Sequence, residues 1–381
     1  MKWPSLLSFK IHKHSHKKKF YIKKTSVALL KAPLIQSFRT ALGDHDSMEN
    51  VLFSIEMGDG TKGYGEAAIA SHITGETIEQ TINNLKSIGE DLIGQEVNDY
   101  LQISNRLHAR LPKNKSAVAA VETALMDALT RQWGIPLWKF FGGKPKQLVT
   151  DITIVIADLA ETESAVRKFH KQGFRIFKVK IGRDMDMDLD YKRVLAVKRL
   201  APWCPIYLDA NQGYTAEQTL DFLKIIRRAG IRPALIEQPT PKEDWEGLKK
   251  VARLAGCPVC ADESVSSLPD AMRAIREKAV SVINIKLMKT GLLHSREIAL
   301  LAKANRIKLM IGGMMESSLA MTAAAHLAAG LGCFDYIDLV TPFFIKQGFD
   351  KNPYLSSRGV YDLRKVKVGV GITPDGEIRN A

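Results

Sequence analysis

At 381 residues, with 45% hydrophobic and 25% charged side chains, the chain has the make-up of a soluble globular protein long enough for more than one domain. Its net charge of +14 sits largely at the front, since residues 1–24 hold eight lysines and no acid; the rest is spread thinly, with no basic-aromatic stripe of the kind that grips nucleic acid, and no nucleic-acid partner is expected. No apolar run reaches the roughly 18 residues of a membrane span, and four cysteines do not form a secreted disulfide framework, which points to the reducing cytoplasm.

Residues 1–19 read as a basic, disordered tail; no apolar h-region follows, so they make a poor signal peptide. Residues 20–147 read as an α+β capping domain. Alternation at 20–30 and 51–65 predicts strands, with a turn at Gly58-Asp59-Gly60. Helical patterns follow at about 75–95, 97–110 and 116–133, and a Gly/Pro stretch at 140–146 closes the block.

From 148 to 345 the rhythm becomes strand, helix, strand, helix. Strands are predicted at 152–156, 176–181, 206–209, 234–237, 258–262, 282–286, 308–311 and 335–338, with amphipathic segments between them, such as 215–229 and 271–278. Eight parallel strands with crossovers, and no Gly-rich dinucleotide fingerprint after the first, call for a (β/α) barrel of the α/β class. Residues 346–381 read as strand and turn that return to the capping domain. Cys257-Pro258-Val259-Cys260 has redox or zinc spacing, but it runs into a barrel strand with no second ligand pair, so its role is read as structural.

Three of the barrel strands end on a carboxylate: Asp209, Glu237 and Asp262, at the spacing of one strand-helix unit. Lys178-Val179-Lys180 stands one unit before them and Lys286 one unit after. In a parallel barrel all of these emerge at one rim. Three hard oxygen donors with no His or Cys suit Mg²⁺ and not zinc. A lysine normally titrates near 10.4, but burial and a second ammonium two residues away favour its neutral, basic form. Lys180 and Lys286, entering from opposite walls, are candidate bases on the two faces of one carbon. That arrangement serves 1,1-proton transfer; a single-base elimination or cycloisomerisation is the alternative.

These residues occur in Lys178-Val179-Lys180, Asp209-Ala210-Asn211-Gln212-Gly213, Glu237-Gln238-Pro239, Ala261-Asp262-Glu263-Ser264, Asn284-Ile285-Lys286-Leu287 and Gly312-Gly313-Met314-Met315-Glu316-Ser317. Together they resemble the enolase superfamily, its muconate-lactonising subgroup, and within that the dipeptide epimerases, over about residues 20–380. The resemblance implies a (β/α)7β modified TIM barrel with an α+β N-terminal capping domain. It implies Mg²⁺, one per subunit, on Asp209, Glu237 and Asp262, with Lys180 and Lys286 as the acid/base pair. The mechanism common to that superfamily, a Lys or His base with Mg²⁺ stabilising an enediolate, comes with the resemblance. Lys178 becomes a helper at the substrate carboxylate, and Asn211 and Glu263 orient ligands and lysines.

The implied activity is epimerisation of L-Ala-D/L-Glu or a related dipeptide, in a protein expected to be a homo-oligomer. N-acylamino acid racemase, o-succinylbenzoate synthase and muconate cycloisomerase are the alternatives within the superfamily. Asp338 matches the first acid of the Asp-x-Asp that holds the substrate ammonium in such epimerases, while Val340 stands at the second. Arg39, Ile73, Thr74 and Glu316 fall in the segments implied to contact substrate. Gly43 stands where relatives acting on Ala-Glu carry a base.

Overall fold

The structure, a computed structural model, describes residues 20–144, 147–346, 350–374 and 377–380; the basic tail lies outside them. The capping domain opens with β1 (Ile22–Thr40), β2 (Gly43–Met57) and β3 (Lys62–Ala68), an antiparallel sheet. β1 and β2 form a longer hairpin than alternation predicts. Pairing from Thr40↔Gly43 onward carries through a bulge between Pro33 and Phe38, and the bulge breaks the alternation that would have marked residues 31–50 as strand.

Helices α1 (Ser71–Thr74), α2 (Ile78–Leu92), α3 (Tyr100–Arg110), α4 (Lys115–Gln132) and α5 (Leu137–Phe140) follow. Alanine-rich α4 is buried on nearly every face. It lies directly on β3, where a Cβ at Gly65 would come 1.9 Å from the Ala120 carbonyl oxygen and one at Gly63 2.1 Å from that of Ala124. Glycine is required there for the close approach of backbones.

The second domain runs β4 (Gln147–Val149), β5 (Ile152–Ile154), α6 (Leu159–Gln172), β6 (Phe177–Lys180), α7 (Met187–Leu200), β7 (Ile206–Asp209), α8 (Ala216–Arg228), β8 (Leu235–Glu237), α9 (Trp245–Leu254), β9 (Val259–Ala261), α10 (Leu268–Arg276), β10 (Val282–Lys286), α11 (Leu287–Thr290), α12 (Leu292–Ala304), β11 (Lys308–Gly312), α13 (Ser318–Leu331) and β12 (Tyr336–Ile337). Strands β5 to β12 form one parallel sheet in sequence order. The sheet curls until the Asp151 N–H, just before β5, donates to the Ile337 carbonyl on β12 at 3.1 Å. This is the expected (β/α)7β barrel. Its helices start on capping residues: Asp158 for α6, Asp244 for α9, Ser267 for α10, and Thr215 for α8 in a reciprocal box with Gln218.

Side chains inside the barrel stack in layers. Tyr207, Leu235, Cys260, Val282 and Met310 make an apolar floor. Two residues later on the same strands come Asp209, Glu237, Asp262, Asn284 and Gly312, which the period of two places one layer higher on the same face. Cys260 is therefore a floor residue, and both it and Cys257 are free thiols.

After the barrel, β13 (Val360–Asp362) pairs with β4, and β14 (Glu377–Asn380) pairs antiparallel with β1 to complete the cap sheet in the order β14-β1-β2-β3. Buried polar groups fasten this return. The Asp127 carboxylate accepts from the Tyr64 and Val370 N–H groups at 3.1 and 2.7 Å and pairs with Arg131. His326 on α13 accepts from the Trp138 N–H at Nδ1 and donates from Nε2 to the Val370 carbonyl.

Candidate active site

The barrel rim gathers the acids and lysines on strand ends. Lys178 and Lys180 flank Val179 on β6 and so share the inward face, and register pairs Lys180 with Asp209 and Asp209 with Glu237 on successive strands. Beyond β7 the chain turns through two left-handed residues, Asn211 (φ 40°) and Gln212 (φ 70°), before Gly213, whose Cβ would lie 2.5 Å from the Gly182 carbonyl oxygen. Such backbone costs on the order of 1–3 kcal/mol per residue and persists only where its surroundings hold it. Here it returns the Asn211 Oδ1 to Lys180 Nζ at 2.9 Å and its Nδ2 to Glu263 Oε1 at 3.3 Å. Gln238 plays a similar part at β9: its Oε1 accepts from the Asp262 and Ser264 N–H groups, while its amide donates to Ser264 Oγ and the Thr240 carbonyl.

The charges interlock. Lys178 Nζ lies 2.6 Å from Asp338 Oδ2, 2.7 Å from Glu237 Oε2 and 3.0 Å from Asp209 Oδ2. Lys180 Nζ donates to Asp209 Oδ2 at 2.6 Å, and Lys286 Nζ to Asp262 Oδ2 at 2.6 Å. Burial alone would raise the Asp209 pKa, but Lys178 and Lys180 outweigh it and hold the carboxyl at about 2. Asp262 is likewise held well below the usual range against its burial, by Lys286 and Lys289. Glu237 is pushed up to about 8 by burial and then by the Asp209 charge, and Glu263 to about 7 by burial and Asp262. At Lys286 burial lowers the pKa, but the Asp262, Glu237 and Glu263 carboxylates outweigh it and hold the ammonium above its ordinary value.

Several further side chains take part. Lys289, in the short helix α11, is buried and spends its ammonium on Asp262 Oδ1 (2.7 Å), the Asp262 carbonyl and the Asn284 carbonyl (3.1 Å). Asn284 donates to Glu237 Oε1 at 2.8 Å. Asp151 is fully buried beside Asp338, and burial, then the Asp338 charge and a hydrogen bond shared with that carboxyl push its pKa well up. A lysine three residues past a strand, or an acid at a strand's foot, looks like any surface charge until the fold places it.

Above the charged layer lies a narrow cavity of about 60 Å³, open on one side to solvent. Lys178, Lys180, Lys286, Asn211, Thr153 and Asp338 reach it from the barrel. Phe38, Leu42, His45, Ile69 and Ile73 close it from the cap, with Met314, Met315 and Val340 beside them. Of the remaining residues implied to contact substrate, Arg39 turns away to Glu161 at 3.1 Å, because alternation on β1 sends it to the face opposite Phe38 and Thr40. Thr74 faces a neighbouring cleft, its hydroxyl on the Ala70 carbonyl. Glu316 is buried below the lining and accepts from the Met314 N–H at 2.6 Å; burial pushes its pKa up to about 8, so it shapes the loop that presents Met314.

The donor set fits a hard cation. Asp209 and Glu237 already meet on one positive centre, the Lys178 ammonium, and Glu263 Oε2 is buried without a hydrogen bond. Among the described residues, however, no three acids converge on a common point as they stand. Asp262 is turned to Lys286 and Lys289 instead. An uncompensated cluster of buried carboxylates draws in the nearest ammoniums.

Comparison with known proteins follows the same lines. Residues 161–378 match the enolase C-terminal domain-like family, and residues 24–142 the N-terminal domain of the mandelate racemase/muconate lactonizing enzymes. A hydrophobic dipeptide epimerase of Citrifermentans bemidjiense is 47% identical over 93% of this chain and 98% of its own. An aromatic dipeptide epimerase of Herpetosiphon aurantiacus is 39% identical over 86% and 91%. A dipeptide epimerase of Enterococcus faecalis, solved in complex with Mg and the dipeptide L-Leu-L-Tyr, superimposes with a TM-score of 0.87 at 29% identity, covering 94% of this chain and 100% of that one.

Proposed function

The chain belongs to the mandelate racemase/muconate lactonizing enzyme family of enolase-like proteins, and from that premise we propose that it is a dipeptide epimerase acting on dipeptides with apolar side chains. The observation that carries this reading is the placement of Lys180 and Lys286 on the second and sixth of eight barrel strands, on opposite walls of one cavity. One lysine takes the α-proton of the substrate's C-terminal residue, and the other returns a proton to the opposite face. Positioned proton transfer of this kind contributes on the order of 10²–10⁴-fold in rate.

Asp209, Glu237 and Asp262 would hold Mg²⁺, which when bound draws charge from the substrate carboxylate and so acidifies the α-carbon. Lys178 adds positive charge beside that carboxylate, and Asp338 faces the substrate ammonium. Asn211 steers the Lys180 ammonium, and Asn284 fixes one oxygen of Glu237. Phe38, Leu42, Ile73 and Met314 exclude water over the reacting carbon. The lining offers an acidic side chain no arginine, with Arg39 committed elsewhere, so apolar side chains fit better than glutamate.

The test is a dipeptide library incubated with the protein and Mg²⁺ in heavy water, read by mass. We expect a one-dalton gain in the C-terminal residue of L-Ala-L-Leu, and at least about tenfold slower exchange in L-Ala-L-Glu. No exchange in any dipeptide would sink the reading. Lys180→Ala and Lys286→Ala should each abolish net epimerisation, and full activity in both would remove the two-base mechanism.

A further inference from the structure

We propose that Arg193, a fully buried arginine on α7 that takes no part in the cavity lining, positions the Lys180 base and not the Lys286 base. The proposal rests on the two-lysine reading and concerns what holds the end of β6. Pairing of β5 with β6 stops at Ile154↔Val179, one residue short of Lys180. Beyond that point the Arg193 guanidinium takes over from the ladder. Its Nη1 donates to the Lys180 carbonyl at 2.6 Å and its Nη2 to the Val155 carbonyl at 2.6 Å. Nε donates to Thr162 Oγ1 on α6 at 3.1 Å, and Nη1 also to Asp190 Oδ1 at 3.1 Å.

Asp190 closes the circuit. Its Oδ2 accepts from the Gly182 N–H and from the Tyr214 hydroxyl, each at 2.7 Å. Gly182 lies two residues past Lys180. Tyr214 closely follows the left-handed turn that carries Asn211, whose Oδ1 accepts from Lys180 Nζ at 2.9 Å. One buried ion pair thus grips both the backbone at the root of Lys180 and the loop that meets its tip. Such a pair is often no more stabilising than packed apolar side chains. Its geometry suits orientation, because a planar fork of donors fixes two carbonyls at once. Lys286 is supported differently: β10 runs from it straight into α11, and its carbonyl accepts from Thr290 Oγ1 at 3.3 Å. Loosening Arg193 therefore loosens one base of the two.

The test follows α-proton exchange in heavy water for L-Ala-L-Leu and L-Ala-D-Leu separately, using the Mg²⁺-loaded full chain. Each lysine removes the proton of one epimer, and the epimer whose exchange is lost in Lys180→Ala identifies the Lys180 face. In Arg193→Lys, net epimerisation should fall at least about tenfold in both directions, as a misplaced base requires. Exchange in the Lys180-face epimer should fall by the same factor. Exchange in the other epimer, whose base is still in place, should stay within about threefold of the native rate. Equal losses on both faces, or native rates on both, overturn the proposal. Tyr214→Phe removes one hydroxyl from Asp190 and spares the ion pair, so it decides the question if Arg193→Lys does not fold. It should show the same one-sided loss, about threefold or more, and a two-sided or absent loss overturns the proposal. A native protein inert toward both epimers removes the epimerase reading and this inference with it, whereas an active one with symmetric losses removes this inference alone.

Discussion

At the scale of single residues, the site is a set of carboxylates kept apart by donors that each occupy one oxygen. Asn284 is the clearest case, because its amide fixes Glu237 Oε1 and leaves Oε2 to the Lys178 ammonium, 2.7 Å away. Asn284→Ala should leave the fold intact and raise the Mg²⁺ concentration needed for half-maximal activity by roughly 10–100-fold, as loss of a ligand-orienting group does. A Mg²⁺ titration by calorimetry checks this, and an unchanged affinity would refute it. At this scale the sequence was legible wherever chemistry coincides with strand period: Asp209, Glu237, Asp262 and the three site lysines all lie at strand ends and meet at one rim. It was not legible for Lys289, whose reach back to Asp262 depends on a four-residue helix turning over the rim. Arg39 misled because the hairpin's alternation, hidden by the bulge, decides which way it points.

At the scale of elements, the alanine face of α4 sits on β3 within the cap, and the barrel helix α13 joins the cap without touching substrate, tied by His326 to the start of α5 and to the returning chain at Val370. Burial, only partly opposed by the bond to Val370, depresses the His326 pKa from 6.5 to about 3. The folded protein therefore refuses a proton that the unfolded chain accepts. The stabilisation is complete above pH 6.5 and drains away as pH falls toward 3, at about 1.4 kcal/mol per pH unit. Urea unfolding at pH 7, 6 and 5 should show that slope in the native protein and a shallower one in His326→Gln; equal slopes would refute the assignment. The helices of the cap were readable from periodicity within a few residues, since amphipathic spacing survives burial. Neither the reach of the β1–β2 hairpin nor the fastening role of His326 was, because both depend on partners distant in sequence.

At the scale of the whole molecule, the acids at the barrel rim are balanced by Lys178, Lys180, Lys286 and Lys289, so the fold does not depend on a bound ion to relieve their repulsion. Protein stripped with EDTA should keep a single cooperative unfolding transition. Added Mg²⁺ should raise its stability by mass action alone, about 2.7 kcal/mol at a hundred times the Kd. Loss of cooperativity on chelation would show that the lysines do not suffice. The barrel class was legible from eight evenly spaced strand signals, and residues 346–381 read as returning to the cap; which strand the chain closes against, and in what register, was not legible, because β14 is four residues long and its partner is at the other end of the sequence. That closure sets an order of events during synthesis. The outer edge of β1 leaves the ribosome early and stays uncovered while residues 41–376 are made, on the order of half a minute at roughly 5–20 residues per second. Throughout that interval the nascent cap offers a bare strand edge to other chains, so aggregation and chaperone capture should track translation speed rather than the stability of the finished protein.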